Sequence, residues 1–379
     1  MLRSTIALAL AAIALASLSP LPSAAQQQLA QTNRAPTAAS VGDSAIVRDR
    51  NAWTLGLATG TPEGTFLRFG TDIVRNLNKP DDLRVLAIVT RGAADNIKDL
   101  LYLKGIDAAI THTDVFEHFR TVEKIRNLAN RIHYISGLYT SELHLLVRSD
   151  IQSIQDLAGK KVSMDAEGSG ATISGPIIFE RLGVKVEPVM MNNALALEAM
   201  KNGEIAGLLH NAGKPNGLLT GFKNTQGFKL LPIPFDRFED YYVPSQLTHD
   251  DYPNLIKPDE RVETIAVPAV LVIYNWPKSS DRFRRIARFI DRYFEQFDNF
   301  KSSPYHEKWR DVNLAAKLPG WKRYWYVEEK LKELQTARAE QRLDLRFARE
   351  QVQRAAPGDR AEQEKLFQQF LDWAKTRQR

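Results

Sequence analysis

Cysteine is absent from all 379 residues. That excludes a disulfide framework, a thiolate metal site, a cysteine nucleophile and an N-terminal lipidated cysteine, so stability has to come from apolar cores. Long hydrophobic runs are also missing after the first 25 residues, where no window approaches the ~18 uncharged apolar residues of a membrane span. Nucleotide motifs fail in turn. The glycine-rich stretch DAEGSGATISG (165–175) has no Lys-Ser or Lys-Thr pair after its glycines, and Ile173 stands where the third glycine of a dinucleotide fingerprint belongs. No G-x-S-x-G elbow and no histidine pair with zincin spacing occurs. The net charge of +6 is spread among 45 acidic residues, and RFRRIARFIDRY (282–293) reads as the solvated face of an amphipathic helix rather than a nucleic-acid surface.

What is present begins with Arg3, an apolar run from Ile6 to Leu18, then Pro20, Pro22, Ser23, Ala24 and Ala25. This pattern predicts a secretory signal peptide over 1–25, cleaved near Ala25, and a soluble exported product. Residues 26–50, rich in Gln, Ala, Ser and Thr without a sustained period, read as a flexible leader. The remainder is long enough for two domains.

From Trp53 strand-like and helix-like segments alternate. Strands are expected at 53–60, 83–90 and 106–114, the last running into a polar loop, with helices at 65–78 and 93–105 between them. A second series starts near Tyr134: a strand at 142–149, a short helix and strand at 153–165, a helix at 172–183, a strand at 185–192, a helix at 194–204 and a strand at 205–213. The rhythm implies two α/β units with parallel sheets. A long apolar strand at 262–274 is suited to crossing back to the first unit. Helical pattern follows Pro277, and from 327 to 379 a charged tail reads as surface helices or partial disorder.

Ligands of open parallel sheets bind outside the carboxyl ends of the strands. This selects Thr59, Gly60, Thr61, Glu63, Gly64 and Thr65 after the first strand, Thr90, Arg91 and Gly92 after the second, and Thr111, His112, Thr113 and Asp114 after the third. The second unit adds Gly168, Ser169, Gly170, Ala171 and Thr172, then His210, Asn211, Gly213, Lys214 and Pro215. A glycine-hydroxyl loop opening a helix offers unpaired N–H groups and a positive dipole end to an anion, carboxylate or phosphate alike.

The stretches LGLATGTPEGTF, GIDAAITHTDVF, LHLLVRSDIQSIQDLAGKKVSM, EGSGAT and HEKWRDVNLAAKLPGW occur in this order, and over residues 53–325 the chain resembles the substrate-binding proteins of tripartite ATP-independent periplasmic (TRAP) transporters, of the TAXI subfamily. The resemblance implies a type II periplasmic binding protein: lobe 1 from 51–135 and 268–326, lobe 2 from 136–267, joined by crossing hinge strands around a ligand cleft. It implies a periplasmic receptor without cofactor, metal or nucleic-acid partner, holding a small carboxylate or amino acid of the glutamate or 2-oxoglutarate class for TRAP membrane permease subunits. The family's first loop matches Thr59 to Thr65, with Phe66 near the place of its aromatic pair and Leu67 beside it. A glutamine, serine and aspartate of the family match His112, Thr113 and Asp114; the glycine-serine-glycine-threonine loop matches Gly168, Ser169, Gly170 and Thr172; the small-residue loop before a proline matches Gly213 to Pro215.

On this reading a carboxylate sits on the N–H groups of Ser169 to Thr172, supported by the Ser169 and Thr172 hydroxyls, and a second acidic group meets Arg91 or Lys214. An amino group would need an acid such as Glu63 or Asp114. Two other readings stand beside it. One is an exported sensor or scaffold using the same cleft, suggested by the charged tail. The other is a hydrolase-type enzyme with His112 and Asp114, or His210 and Ser169, as acid-base pair and Glu63 or Glu167 as carboxylate. His133 and His144 read as structural.

Overall fold

The computed structural model describes residues 38–79, 82–221, 227–239 and 241–377. The expected signal peptide lies outside them. Two compact units divide the chain, 1–52 and 53–379. In the first, helix α1 (Ala38–Ala52) occupies most of the second half of the expected leader. Among the described residues no helix is long and apolar enough to cross a membrane.

The second unit starts with β1 (Thr54–Ala58), whose Leu55 and Leu57 are wholly buried, and α2 (Thr65–Leu77), which buries Phe66, Phe69, Ile73 and Leu77 at helical spacing. Then come β2 (Arg84–Ile88), α3 (Ala93–Tyr102), β3 (Ala108–His112), α4 (Thr113–Thr121) and the short α5 (Leu128–Arg131). The polar loop expected after the third strand is instead helix α4, which begins one residue beyond His112. A 17-residue strand, β4 (Ile132–Arg148), follows where the sequence predicted only 142–149. Next are β5 (Lys161–Ser163), α6 (Ala171–Arg181), β6 (Glu187–Val189), α7 (Asn193–Lys201), β7 (Gly207–Ala212), α8 (Gly217–Thr220), β8 (Phe228–Leu231), β9 (Val243–Thr248) and β10 (Arg261–Tyr274). Helix α9 (Asp281–Glu295) and the helices α10 (Trp325–Ala355) and α11 (Arg360–Arg377) close the chain.

One ten-stranded mixed sheet runs β2-β1-β3-β10-β4-β7-β5-β6, with β8 on β4 and β9 on β10. The β1, β2 and β3 pairs are parallel, as are β5, β6 and β7, whereas β4 and β10 are antiparallel to their neighbours. Each half therefore repeats one order, second strand, first strand, third strand, then an antiparallel crossing strand. That is the order of a type II periplasmic-binding-protein fold. Both crossing strands serve both halves: β10 pairs β3 through Ala269–Ile273 and β9 through Arg261–Ala266, while β4 pairs β10 along its first part and β7 through Glu142–Val147.

The cores divide accordingly. One cluster draws on residues 55–139 and 269–331, and the other two on 143–267. In the first, Trp309 stacks on Phe69 at 4.3 Å and donates from Nε1 to Asp72 at 3.0 Å, which gives the HEKW stretch a place in the first lobe's core. Its neighbour Lys308 donates to Glu142 on β4 at 2.7 Å, a buried ion pair at the strand that joins the lobes.

Candidate functional site

The carboxyl ends of the parallel strands converge on a narrow cavity of about 390 Å³, its open mouth included. The first lobe contributes Gly60, Thr61 and Gly64 after β1, Thr65 and Phe66 at the start of α2, Arg91, Gly92 and Ala93 after β2, and His112 at the end of β3. Across from them lie Asp165 after β5, Ser169, Gly170 and Ala171 at the start of α6, and His210 and Asn211 on β7, with Tyr139 rising from β4. A wider groove of about 750 Å³ on the second lobe, along Met164, Phe179, Val184 and Pro188, is apolar apart from Glu180 and Lys185. It offers volume without directed polar groups, so chemistry points to the narrower cavity.

The cavity lining is polar, buried and incompletely paired. His112 is 2% exposed, packs its ring 4.7 Å from Phe66, and has Nδ1 3.4 Å from Asn211 Nδ2. Burial alone pulls its pKa down to about 3, so the imidazole is neutral. Among the described residues its Nε2 has no partner, and neither do His210 Nε2 and Asn211 Oδ1. Three buried polar atoms on residues that line one cavity thus have no protein partner, and leaving such a group unsatisfied costs roughly 1–3 kcal/mol.

The lobes are latched around this space. Gly168 accepts at its carbonyl from Ala94 N at 3.1 Å and Asp95 N at 3.0 Å, capping α3 from the opposite lobe. Thr65 Oγ1 accepts from Gly213 N at 3.0 Å, and Asn216 Nδ2 donates to Glu63 O at 3.3 Å. Gly170 approaches His112 so closely that a Cβ would lie 2.6 Å from Nδ1.

Several residues selected from the sequence stand elsewhere. Thr59, Thr113, Gly168, Thr172, Gly213 and Pro215 do not line the cavity; Thr59 Oγ1 donates to Ile88 O at 2.7 Å, inside the first lobe. Asp114 is buried behind the cavity, where Ser174 Oγ donates at 2.5 Å and Tyr242 Oη at 2.8 Å; burial raises its pKa and these donors oppose the rise. Lys214 Nζ donates to Gln246 O and Asp251 Oδ2 at 2.6 and 3.0 Å. Arg91 reaches the cavity but its Nε donates to Asp95 Oδ2 at 2.6 Å, and that bond holds the guanidinium above its ordinary pKa. The two hydroxyls expected to support a carboxylate make bonds within the second lobe: Ser169 Oγ donates to Met164 O at 3.4 Å and Thr172 Oγ1 to Ser169 O at 2.7 Å. Even the Ser169 N–H is used, by Ala166 O at 3.1 Å. The donors left at the start of α6 are first-turn N–H groups such as those of Ala171 and Thr172, which have no intrahelical acceptor. Of the enzyme pairing of His210 with Ser169, His210 Nδ1 instead meets Asn193 Nδ2 at 2.7 Å and Ser169 Oγ donates to Met164 O. Ala93, Tyr139 and Asp165 were missed. Tyr139 comes from the middle of a crossing strand, where a rule about strand ends does not look; Asp165 sits at such an end, one position past β5's loop start, and was legible there.

Fold and cavity together define a two-lobed α/β protein with a polar interlobe pocket. The chain belongs to the NMT1-like family, whose model matches residues 57–316. Among solved structures it is similar to an ancestral arginine-binding protein bound to arginine, at 16% identity and TM-score 0.39 over 65% of this chain and 96% of that one. An amino acid ABC transporter substrate-binding protein from Streptococcus pneumoniae, bound to L-arginine, gives 13% and 0.39 over 71% and 98%. The regulatory domain of Synechocystis CcmR in complex with 2-PG gives 14% and 0.39 over 63% and 96%. At TM-scores this low these likenesses add nothing to what the strand order itself shows.

Proposed function

We propose that this protein is a periplasmic solute receptor of the TAXI type, which encloses a small organic acid or amino acid between its lobes and hands it to TRAP permease subunits. The observation that carries the reading is the set of unpartnered buried atoms, His112 Nε2, His210 Nε2 and Asn211 Oδ1, on residues lining one narrow cavity. A polar solute satisfies them; an empty cavity leaves them unpaired. A ligand carboxylate is placed on the first-turn N–H groups of α6, where the helix dipole adds to charge-assisted hydrogen bonds of roughly 1.5–3 kcal/mol each. A micromolar complex needs only about 8 kcal/mol in total. Opening and closing are assigned to β4 and β10, the two strands shared by both halves of the sheet. Native mass spectrometry of the exported protein, followed by thermal-shift screening of organic acids and amino acids, tests this. A bound solute that is not consumed supports it; turnover of the solute would overturn it.

A sensor or scaffold role is favoured by one observation, the helices α10 and α11, which lie beyond the family match ending at 316. Removal of α11 separates the two: a receptor serving a permease keeps solute uptake, whereas a scaffold loses its partner.

A further inference from the structure

The charges facing the cavity are one-sided. Of its lining residues Arg91 carries the one Lys or Arg charge, and it is already bonded through both Nε and Nη2 to Asp95. The nearby lysines are engaged in the same way, Lys214 with Asp251 and Lys308 with Glu142. Asp165 is the acid in the lining, and it is 7% exposed. Its Oδ1 accepts from Ala166 N at 2.7 Å, while Oδ2 lies 3.8 Å from His210 Nδ1, beyond hydrogen-bond reach. That Nδ1 meets Asn193 Nδ2 instead, at 2.7 Å. The backbone of Asp165 is left-handed, φ 65°, a region that Asp enters more readily than most residues with a Cβ.

A second acceptor completes the arrangement. Asn211 directs Nδ2 at His112 Nδ1 and Ser174 Oγ, at 3.4 and 3.3 Å, which leaves its buried Oδ1 unpartnered on the same cavity. Two acceptors, one anionic, therefore share the space with the N–H donors at the start of α6. A dianionic oxo acid would place one carboxylate on those donors and bring the rest of its charge against Asp165 with no available cation. An α-amino acid places opposite charges on opposite partners.

We infer that Asp165, assisted by Asn211 Oδ1, is the specificity-determining residue that takes the ligand's ammonium group, so that the receptor selects α-amino acids over the 2-oxo acids of the same carbon skeleton. This assignment replaces Glu63 and Asp114, the acids considered from the sequence, of which Glu63 is exposed and outside the lining and Asp114 is held by Ser174 and Tyr242. It rests on the receptor reading above.

The test is isothermal titration of the full exported chain with matched pairs: L-glutamate and 2-oxoglutarate, L-alanine and pyruvate, L-leucine and 4-methyl-2-oxopentanoate. In every pair that binds, the amino member should bind at least about tenfold more tightly, and Asp165→Asn should shrink that ratio to about twofold or less, with pyruvate and 4-methyl-2-oxopentanoate no weaker than before and 2-oxoglutarate tighter. An oxo acid binding the native chain as tightly as its amino partner overturns the inference and leaves the receptor standing. Undiminished selectivity in Asp165→Asn does the same. Binding of no member of any pair overturns both the inference and the organic-acid reading beneath it. The native-chain comparison stands even where the variant folds poorly.

Discussion

Asp114, at the start of α4 in the first lobe, accepts from Ser174 Oγ of α6 in the second lobe at 2.5 Å. Tyr242 Oη donates to the same carboxylate oxygen at 2.8 Å. Ser174 in turn receives Asn211 Nδ2, whose other neighbour is His112, so an unbroken polar chain leads from the cavity wall to the contact between lobes. Asp114→Asn retains shape but weakens acceptance from two hydroxyls. The closed form should lose about 1.5–3 kcal/mol. Ligand dissociation would quicken by roughly tenfold or more, and the radius of gyration of the ligand-free protein in small-angle scattering would rise. Unchanged dissociation would show that the contact does not hold the lobes together. Ser174→Ala keeps Tyr242 and should lose about 1 kcal/mol.

Gly168 makes the neighbouring contact by backbone alone. Its φ of 89° suits glycine, and a Cβ would fall 2.4 Å from Asp95 Oδ1. Gly168→Ala should lower Tm or weaken ligand binding by about 1–3 kcal/mol, from left-handed strain together with the displaced carboxylate. In a double-mutant cycle Asp95→Ala should recover the steric part and not the strain; full recovery would assign the whole effect to the clash.

The sequence showed β1 to β3 and β5 to β7 because each is a short apolar run bounded by glycine or polar turns. It hid the first half of β4. That strand is buried along nearly its whole length, so His133, Ser136 and Ser141 interrupt the apolar pattern without marking a solvent face. Strand β9 (VPSQLT) is polar and mostly exposed and carries no core signal. In the site, loops at strand ends were readable as loops, yet the occupation of their charges was not. Lys214 and Asp114 find their partners in Asp251 and Tyr242, which no local spacing connects to them. Asp165 opens the glycine-rich stretch, where its carboxylate shares one short segment with Glu167 and no local pattern marks which of the two enters the cavity.

His112 and His144 should make the protein acid-sensitive. Burial pulls both imidazoles down to about 3, so the folded state keeps them neutral. In the unfolded chain they take up protons near pH 6.5. Stability is therefore fully present above about 6.5 and falls with pH through the window down to about 3, at up to about 1.4 kcal/mol per pH unit for each group. The raised pKa of Asp114 works the other way, since its contribution is complete at low pH and is lost as pH rises through its folded value. Urea denaturation of His112→Gln, measured from pH 7 to 4, should show a shallower fall than the native chain. A parallel curve would mean that His112 is protonated in the folded state.

The C-terminal helices divide into a part that belongs to the core and a part that does not. Val327 is wholly buried and Leu331 nearly so, both within the first lobe's cluster, and Tyr326 Oη donates to Asp291 of α9 at 3.1 Å. Further along, Phe367 of α11 is buried 4.5 Å beneath the Arg349 guanidinium of α10, a contact internal to the helical pair. Ending the chain after Tyr326 removes two core side chains, each contributing about 1.5–3 kcal/mol by burial. Its Tm should fall by several degrees, and by more than that of a chain ending at Ala355, which keeps them and loses only α11. The longer truncation should bind solute as the full chain does, because no cavity residue lies beyond Asn211. Equal melting temperatures for the two truncations would show that α10 contributes nothing to the first lobe, and a loss of solute affinity in the longer one would tie the helical pair to the cavity.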